Sequence, residues 1–368
     1  MSINPLFRPL VCKSLKLANR VVMAPMTRGK SPDGRPGEDV AAYYRRRAEG
    51  GVGLIITEGT TVSRPGASSN PAYPNFHEPS SIAGWKRVVD EVHAAGGKIA
   101  PQLWHLGVAR MPGTGPNPEA GSDSPSGLSV TGEAVGAPMS HEDIADTISA
   151  FANAAELAKD MGFDAVEIHG AHGYLIDQFF WEGSNKRTDH FGGDLLRRTR
   201  FAAEIVKAIR SRVGENFVII QRFSQWKPQD YSAKLAHTPD ELAAFLQPLT
   251  DAGVDIFHAS TRRFWDPEFD GSSLNLAGWT KKLTGRPVIT VGSVGLKGPD
   301  FGASLRDSLE VSDADGIDDL ETRLADGEFD LVAVGRALLS DPNWTLKVRD
   351  GRFHDLSAYD PAALNTLA

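Results

Sequence analysis

Eight short apolar runs, each followed by a longer amphipathic stretch, constrain this chain more than any other feature. The runs are residues 20–25, 52–57, 98–103, 165–168, 217–221, 255–258, 287–291 and 330–334. They are rich in Val and Ile, and most end in Gly or a polar residue. That is the composition of strands buried on both faces. Between them lie helical spacings. Ile144, Ile148, Phe151, Ala155 and Ala158 form one apolar stripe, and Phe201, Ile205, Ala208 and Ile209 form another. Thr238-Pro239-Asp240-Glu241 reads as a helix start: a Thr cap, Pro at the first helical position, and Glu three residues after the cap. Strand then helix, repeated eight times, predicts a parallel sheet with crossover helices. Eight such units closing on themselves make an α/β fold, one (β/α)8 TIM barrel domain over residues 1–368. An open dinucleotide-binding sheet would need Gly-x-Gly-x-x-Gly after its first strand, and no strand here has that sequel.

Two excursions interrupt the rhythm. Residues 111–138, after the third strand, are rich in Gly, Pro and Ser and read as a lid or pocket wall. Residues 296–319 are acidic and read as solvated. Charge and cysteine count then exclude several functions. With 39 basic and 47 acidic side chains the net charge is −8, which argues against nucleic acid or an anionic membrane as partner. The single cysteine, Cys12, can build neither an intrachain disulfide, a cysteine zinc site nor an iron–sulfur cluster. The N-terminus lacks the basic-then-apolar pattern of a secretory signal, and no apolar run approaches bilayer length. A cytoplasmic protein, monomer or homo-oligomer, is expected.

Barrel chemistry sits where strands end, at the C-terminal mouth. Here the strand ends are polar. They read Ala24-Pro25-Met26-Thr27-Arg28, Thr57-Glu58-Gly59, Gln102-Leu103-Trp104-His105, Glu167-Ile168-His169-Gly170-Ala171-His172-Gly173-Tyr174, Gln221-Arg222, Gly292-Ser293-Val294 and Gly335-Arg336. The last two follow strands seven and eight, where many barrels hold a phosphate. Gly292 and Gly335 would let the backbone approach an anion, and Arg336 would add a permanent charge. His169 and His172 have a metal-ligand spacing but no third ligand with a comparable motif, although Glu167 and His258 stay open. They could instead donate to one carbonyl oxygen, with Tyr174 delivering a proton. Gln102 has the donors and acceptor that an amide-like heterocycle edge needs. Trp104 and the pair Phe264-Trp265 are candidates for a substrate pocket or for packing. A lyase or isomerase acting on a phosphate substrate is one reading of such a site. It would want a base or Schiff-base lysine at the mouth, and the only lysine at a strand end is Lys98, which starts its strand.

In this order the motifs resemble the old yellow enzyme family of FMN-dependent ene-reductases, from Asn4 to about Trp344. The most specific block is Glu167-Ile168-His169-Gly170-Ala171-His172-Gly173-Tyr174-Leu175-Ile176-Asp177-Gln178-Phe179, followed by Asn185-Lys186-Arg187-Thr188-Asp189-His190-Phe191-Gly192-Gly193. Gly335-Arg336-Ala337-Leu338-Leu339-Ser340-Asp341-Pro342 closes the set. The resemblance implies FMN as cofactor and NADH or NADPH as reductant. It implies that Pro25, Met26 and Gly59 contact the flavin, Thr27 bonds its O4, Gln102 its pyrimidine edge, and Arg222 the charge near N1 and O2. Ser293, Gly335 and Arg336 would hold the phosphate. His169 and His172 would bind the carbonyl oxygen of an electrophilic alkene, and Tyr174 would protonate its α-carbon. No metal is implied. The sequence departs from the family pattern at Phe223-Ser224-Gln225-Trp226, at Gly292-Ser293-Val294 and in the loop 261–270. Its lone cysteine sets it apart from the iron–sulfur relatives.

Overall fold

The computed structural model describes residues 4–129, 131–297, 310–311 and 314–368. Eight strands close into one barrel: β1 (Val21–Met23), β2 (Leu54–Thr61), β3 (Ile99–Trp104), β4 (Ala165–Gly170), β5 (Val218–Ser224), β6 (Ile256–Ser260), β7 (Val288–Val291) and β8 (Leu331–Val334). Neighbours pair in parallel all the way round, and β8 pairs with β1. The expected (β/α)8 barrel is the observed fold. Along each strand burial alternates between two cores. Val22, Leu54, Ile56, Val218 and Ile220 fill the barrel lumen, while Val21, Met23, Ile55 and Ile219 pack outward against the helices. Both faces are therefore dry, which is why the strands read as unbroken apolar runs.

The two helical stripes are helices His141–Met161 and Leu195–Val213. The first starts with a capping box between Ser140 and Asp143 and stops at Gly162, whose φ of 95° only glycine adopts readily. Thr238 caps helix Pro239–Ala252, its hydroxyl accepting from Glu241 N at 3.2 Å. Among the described residues no helix is long and apolar enough to cross a membrane.

Three expectations need correction. Strands β2, β4, β5 and β6 run two to four residues past their expected ends, so Glu58, Gly59, His169, Arg222 and Ser260 lie within strands. The ladder simply persists: β2 stays paired with β3 from Ile55 to Thr61 across a register shift between Ile56 and Gly59. Second, an unforeseen hairpin, Leu10–Cys12 with Leu15–Leu17, plugs the N-terminal end of the barrel with Leu10, Leu15 and Leu17. Its strands are too short to show a period. Third, the expected interruption 296–319 is shorter. Leu296–Lys297 pairs with Glu310–Val311, a helix covers Ala314–Ala325, and residues 298–309 and 312–313 lie outside the described residues. The 111–138 excursion is irregular as expected. Arg110 is buried at its root and donates to the carbonyls of Ser68, Thr114, Asn117 and Ala120.

Candidate active site

Barrel register builds the mouth row by row. Gly59 lies opposite Gln102, and Gln102 opposite Glu167. One step further, His169 lies opposite Arg222, and Arg222 opposite His258. Gln102 Nε2 donates to Glu167 Oε1 at 2.8 Å, and Glu167 Oε2 meets His258 Nδ1 at 2.6 Å. Glu167 and His258 thus form a buried pair. Their outer partner Gln102 keeps its carbonyl oxygen without a partner among the described residues. No three His, Cys, Asp or Glu side chains among the described residues gather as a metal group.

Arg222 is buried among these groups. Burial pulls its guanidinium down from its ordinary range, Glu167 opposing, yet it makes no ion pair among the described residues. Its one side-chain hydrogen bond among the described residues runs from Nη2 to Ser260 Oγ at 3.4 Å, and Nε is sealed without a partner there. Such a cation is complementary to an anion held at the mouth.

His169, His172, Tyr174 and Trp104 come together. Ring centroids lie 5.2 Å apart for His169–His172, 5.0 Å for His169–Tyr174 and 5.0 Å for Trp104–Tyr174. Burial, then the Arg222 charge, holds both imidazoles well below their usual range. Burial pushes the Tyr174 phenol up to about 12. The site therefore holds two neutral imidazoles and a protonated phenol at neutral pH. His172 has a positive φ of 62°, donates its N–H to Ser224 Oγ at 3.1 Å, and packs on Trp226 at 4.8 Å. The glycine at 59 has a steric reason: a Cβ there would fall 2.5 Å from the Trp104 ring.

Other expected residues lie elsewhere around the rim. Thr27 is exposed, Pro25 and Met26 half-buried. Glu58, one residue before Gly59, accepts Arg28 N at 2.8 Å and Gly29 N at 2.9 Å, which fixes the chain just past Thr27. Burial pushes its carboxyl up to about 7 against those two bonds and the Arg28 charge. Ser293 has a φ of 51° and spends its hydroxyl on Arg262 O at 3.0 Å. The N–H groups of Ser293 and Gly335 have no acceptor among the described residues. Arg336 is half-buried, 5.8 Å from the Tyr359 ring centroid. Phe264 is 3% exposed and packs in the core, while Trp265 is 38% exposed. They pair with each other at 5.1 Å rather than with Trp104.

Sequence reasoning missed Ser260, Asp177 and Lys227. The lysine corrects the statement that none but Lys98 stands at a strand end. Lys227 follows β5 by three residues and is fully buried, its Nζ bonded to Asp177 Oδ1 at 2.9 Å and to the carbonyls of Ser224 and Gln225. With three acceptors it has no lone pair to offer as a nucleophile. Asp177 in turn accepts Gly173 N at 2.6 Å, which pins the turn carrying His172 and Tyr174. Gln225 ties down the next loop through Leu235, Ala236 and Glu268. A buried Lys in a Ser-Gln-Trp-Lys run was the available signal.

Fold and mouth together define a class, the parallel barrel with a polar site assembled on its strand ends. Comparison with known proteins narrows it. The profile of the NADH:flavin oxidoreductase / NADH oxidase family matches residues 5–299. The NADH oxidase of Thermoanaerobacter brockii is 33% identical over 352 residues, covering 93% of this chain and 50% of that protein. Morphinone reductase superposes with a TM-score of 0.80 at 29% identity, covering 99% of this chain and 93% of the other. Old Yellow Enzyme from Pichia sp. AKU4542 gives a TM-score of 0.80 at 26% identity over 98% and 90%. The chain belongs to the NADH:flavin oxidoreductase / NADH oxidase family, the old yellow enzyme family that its motifs resemble. It spans 49–59% of the length of the first curated relatives it matches.

Proposed function

We propose that this chain binds FMN across the barrel mouth and reduces activated C=C bonds of α,β-unsaturated carbonyl compounds. NADH or NADPH is the reductant in a ping-pong cycle, and nitro compounds and quinones are further acceptors. The observation that carries the reading is Arg222, a buried cation at the mouth with no ion pair among the described residues. The pyrimidine edge of a reduced flavin is an anion of matching shape. The rest of the donor set fits as well. The open carbonyl of Gln102 can accept from an imide N–H, and the exposed Thr27 hydroxyl can reach a flavin O4. The N–H groups of Ser293 and Gly335, which have no acceptor among the described residues, together with Arg336 suit a phosphate. Ser293 would contribute its backbone, since its hydroxyl is spent.

FMN, when bound, supplies the hydride for the β-carbon and takes one from the nicotinamide. The chain's own work is orientation and proton handling. His169 and His172 donate to the carbonyl oxygen, which draws electron density from the β-carbon. Because both rings are neutral, each offers one N–H. Tyr174 keeps its proton until negative charge collects on the α-carbon, then gives it up. Trp104 packs against Tyr174 and His169 and holds both rings in place.

The purified chain loaded with FMN should bleach anaerobically with NADH or NADPH and regain colour on adding an enone. Tyr174→Phe should slow enone reduction at least about 10²-fold and spare quinones, which need no carbon protonation. A chain that takes up no FMN, or whose reduced form no acceptor reoxidises, overturns the reading.

A further inference from the structure

We propose that Ser260 is a positioning residue that sets the tautomer of His172, so that His172 offers Nδ1–H, not Nε2–H, to the substrate carbonyl oxygen. The inference rests on the reading of the mouth as an enone-reducing site.

Proton counting carries it. Ser260 ends β6 and is 2% exposed. Its Oγ lies 2.9 Å from His172 Nε2 and 3.4 Å from Arg222 Nη2. A guanidinium is only ever a donor, so Arg222 occupies a lone pair of that oxygen. The hydroxyl has one proton to place. If His172 Nε2–H donated as well, the oxygen would receive two donors. Its own proton would then need a further acceptor, and none lies within reach among the described residues. Leaving that buried proton unpaired is the costly arrangement. With Ser260 donating to a bare Nε2, every group is satisfied: Arg222 gives to Ser260, and Ser260 gives to His172. A neutral imidazole has a single N–H, which then sits on Nδ1.

The surroundings agree. Burial and the facing charges of Arg222 and Lys227, with His169 and His258 beside them, keep His172 uncharged, so its one proton must choose a nitrogen. Trp226 packs on the ring and donates Nε1–H to the Ser260 carbonyl at 3.1 Å, which locks the serine and the imidazole to one another. Nδ1 of His172 has no partner among the described residues and is not sealed off, whereas Nδ1 of His169 is sealed in. The two imidazoles therefore present different nitrogens, Nε2 from His169 and Nδ1 from His172. Nothing in the spacing of the two histidines foretells that asymmetry. It depends on a serine 88 positions away in sequence.

The test is a long-range 1H–15N correlation spectrum of the FMN-loaded protein labelled in histidine, near neutral pH, with His172 assigned by its loss in His172→Asn. We expect a protonated Nδ1 and a bare Nε2 in the native protein and in Ser260→Thr, which keeps the hydroxyl. In Ser260→Ala the two nitrogens should average, and kcat/KM for an enone should fall about tenfold, the weight of one lost hydrogen bond. Flavin reduction by NADH should stay within about twofold. In a His172→Asn background the same serine change should cost less, since an amide has no tautomer to set and only the Arg222 contact is lost. A native spectrum with Nε2 protonated overturns the proposal, and so does an equal loss from Ser260→Ala in both backgrounds. If the chain binds no FMN or reduces no enone, the functional reading falls instead, and the same spectrum of the FMN-free protein still decides the tautomer.

Discussion

The two ends of the barrel treat buried polar groups in opposite ways. At the base, three aspartates clasp the strands in a repeated pattern. Asp164, Asp255 and Asp330 precede β4, β6 and β8. Each accepts an amide at the start of the strand before it, from Ile99, Ile219 and Val288 at 2.9, 2.9 and 3.0 Å. Each also holds a cation: Lys98 for Asp164, Arg210 and Lys13 for Asp255, Lys281 for Asp330. At the mouth the same strands carry sealed atoms with no partner among the described residues, among them His169 Nδ1, Arg222 Nε and His258 Nε2. Each such atom costs about 1–3 kcal/mol. Stability is collected at one end and given up at the other, where the site is built.

Single substitutions can break that contrast. The largest effect is expected at the base. Asp255→Ala leaves Arg210 and Lys13 without their carboxylate and frees the Ile219 amide. It should cost about 3–5 kcal/mol in a urea melt. FMN affinity and enone turnover of the folded fraction should stay native. At the mouth the signs reverse. Arg222→Met removes a buried cation that has no ion pair among the described residues, so the melt should be unchanged or shifted to higher urea. Enone turnover should fall about 10²–10³-fold, as for loss of one group that stabilises developing charge. A loss of stability in Arg222→Met comparable to that in Asp255→Ala would erase the distinction.

What was legible in the sequence follows the same division. The barrel was legible because its strands are dry on both faces and its helices carry stripes, both local patterns. The cluster of His169, His172 and Tyr174 was legible because one β-strand end and its turn carry all three. The groups that orient them were not. Ser260 reaches His172 across 88 positions, His258 reaches Glu167 across 91, and Lys227 reaches Asp177 across 50. No local period encodes such pairs; only barrel closure brings them together. A weaker signal did exist, since Glu167 and His258 are polar residues inside runs that are otherwise apolar. Phe264 stayed open for the converse reason: an aromatic in a loop beyond a strand can be pocket wall or packing, and only the packed structure shows it in the core.

Glu58 offers a pH-dependent version of the contrast, because it is a mouth carboxyl with no cationic side chain bonded to it among the described residues. Its folded pKa of about 7 stands above the ordinary 4.5. Between those values the folded state holds a proton that the unfolded state has lost, so stability falls as pH rises through the window. The contribution is full below about 4.5 and lost above about 7, on the order of 3 kcal/mol in all. Glu58→Gln imitates the protonated acid. Measured against the native chain, the variant should gain relative stability from pH 4.5 to 7 and level off beyond. A gain in the opposite direction would mean that Glu58 is held ionised.

The smallest effects give the sharpest comparison, because they place one methyl at each end of the same strand. Gly53 lies just before β2, and a Cβ there would meet Asn19 Oδ1 at 2.6 Å and its carbonyl oxygen at 2.9 Å. Asn19 belongs to the base: its side chain takes Val21 N and gives to Gly51 O. Gly59 lies near the other end of β2, where a Cβ would meet the Trp104 ring at 2.5 Å. Each alanine should cost about 1–3 kcal/mol by overpacking, and a melt alone should not tell them apart. Turnover should. Backbone and a clasped amide take the strain in Gly53→Ala, and no group in contact with substrate moves. In Gly59→Ala the indole has to give way, and its neighbours are Tyr174 at 5.0 Å and His169 at 6.4 Å. Enone turnover should drop in Gly59→Ala while flavin binding persists, with a changed Trp104 emission against a Trp104→Phe blank. Equal turnover in the two variants would mean that the mouth absorbs a displaced indole as readily as the base absorbs a displaced amide. Trp104 would then be packing, and the aromatic wall beside Tyr174 would have no part in holding the phenol.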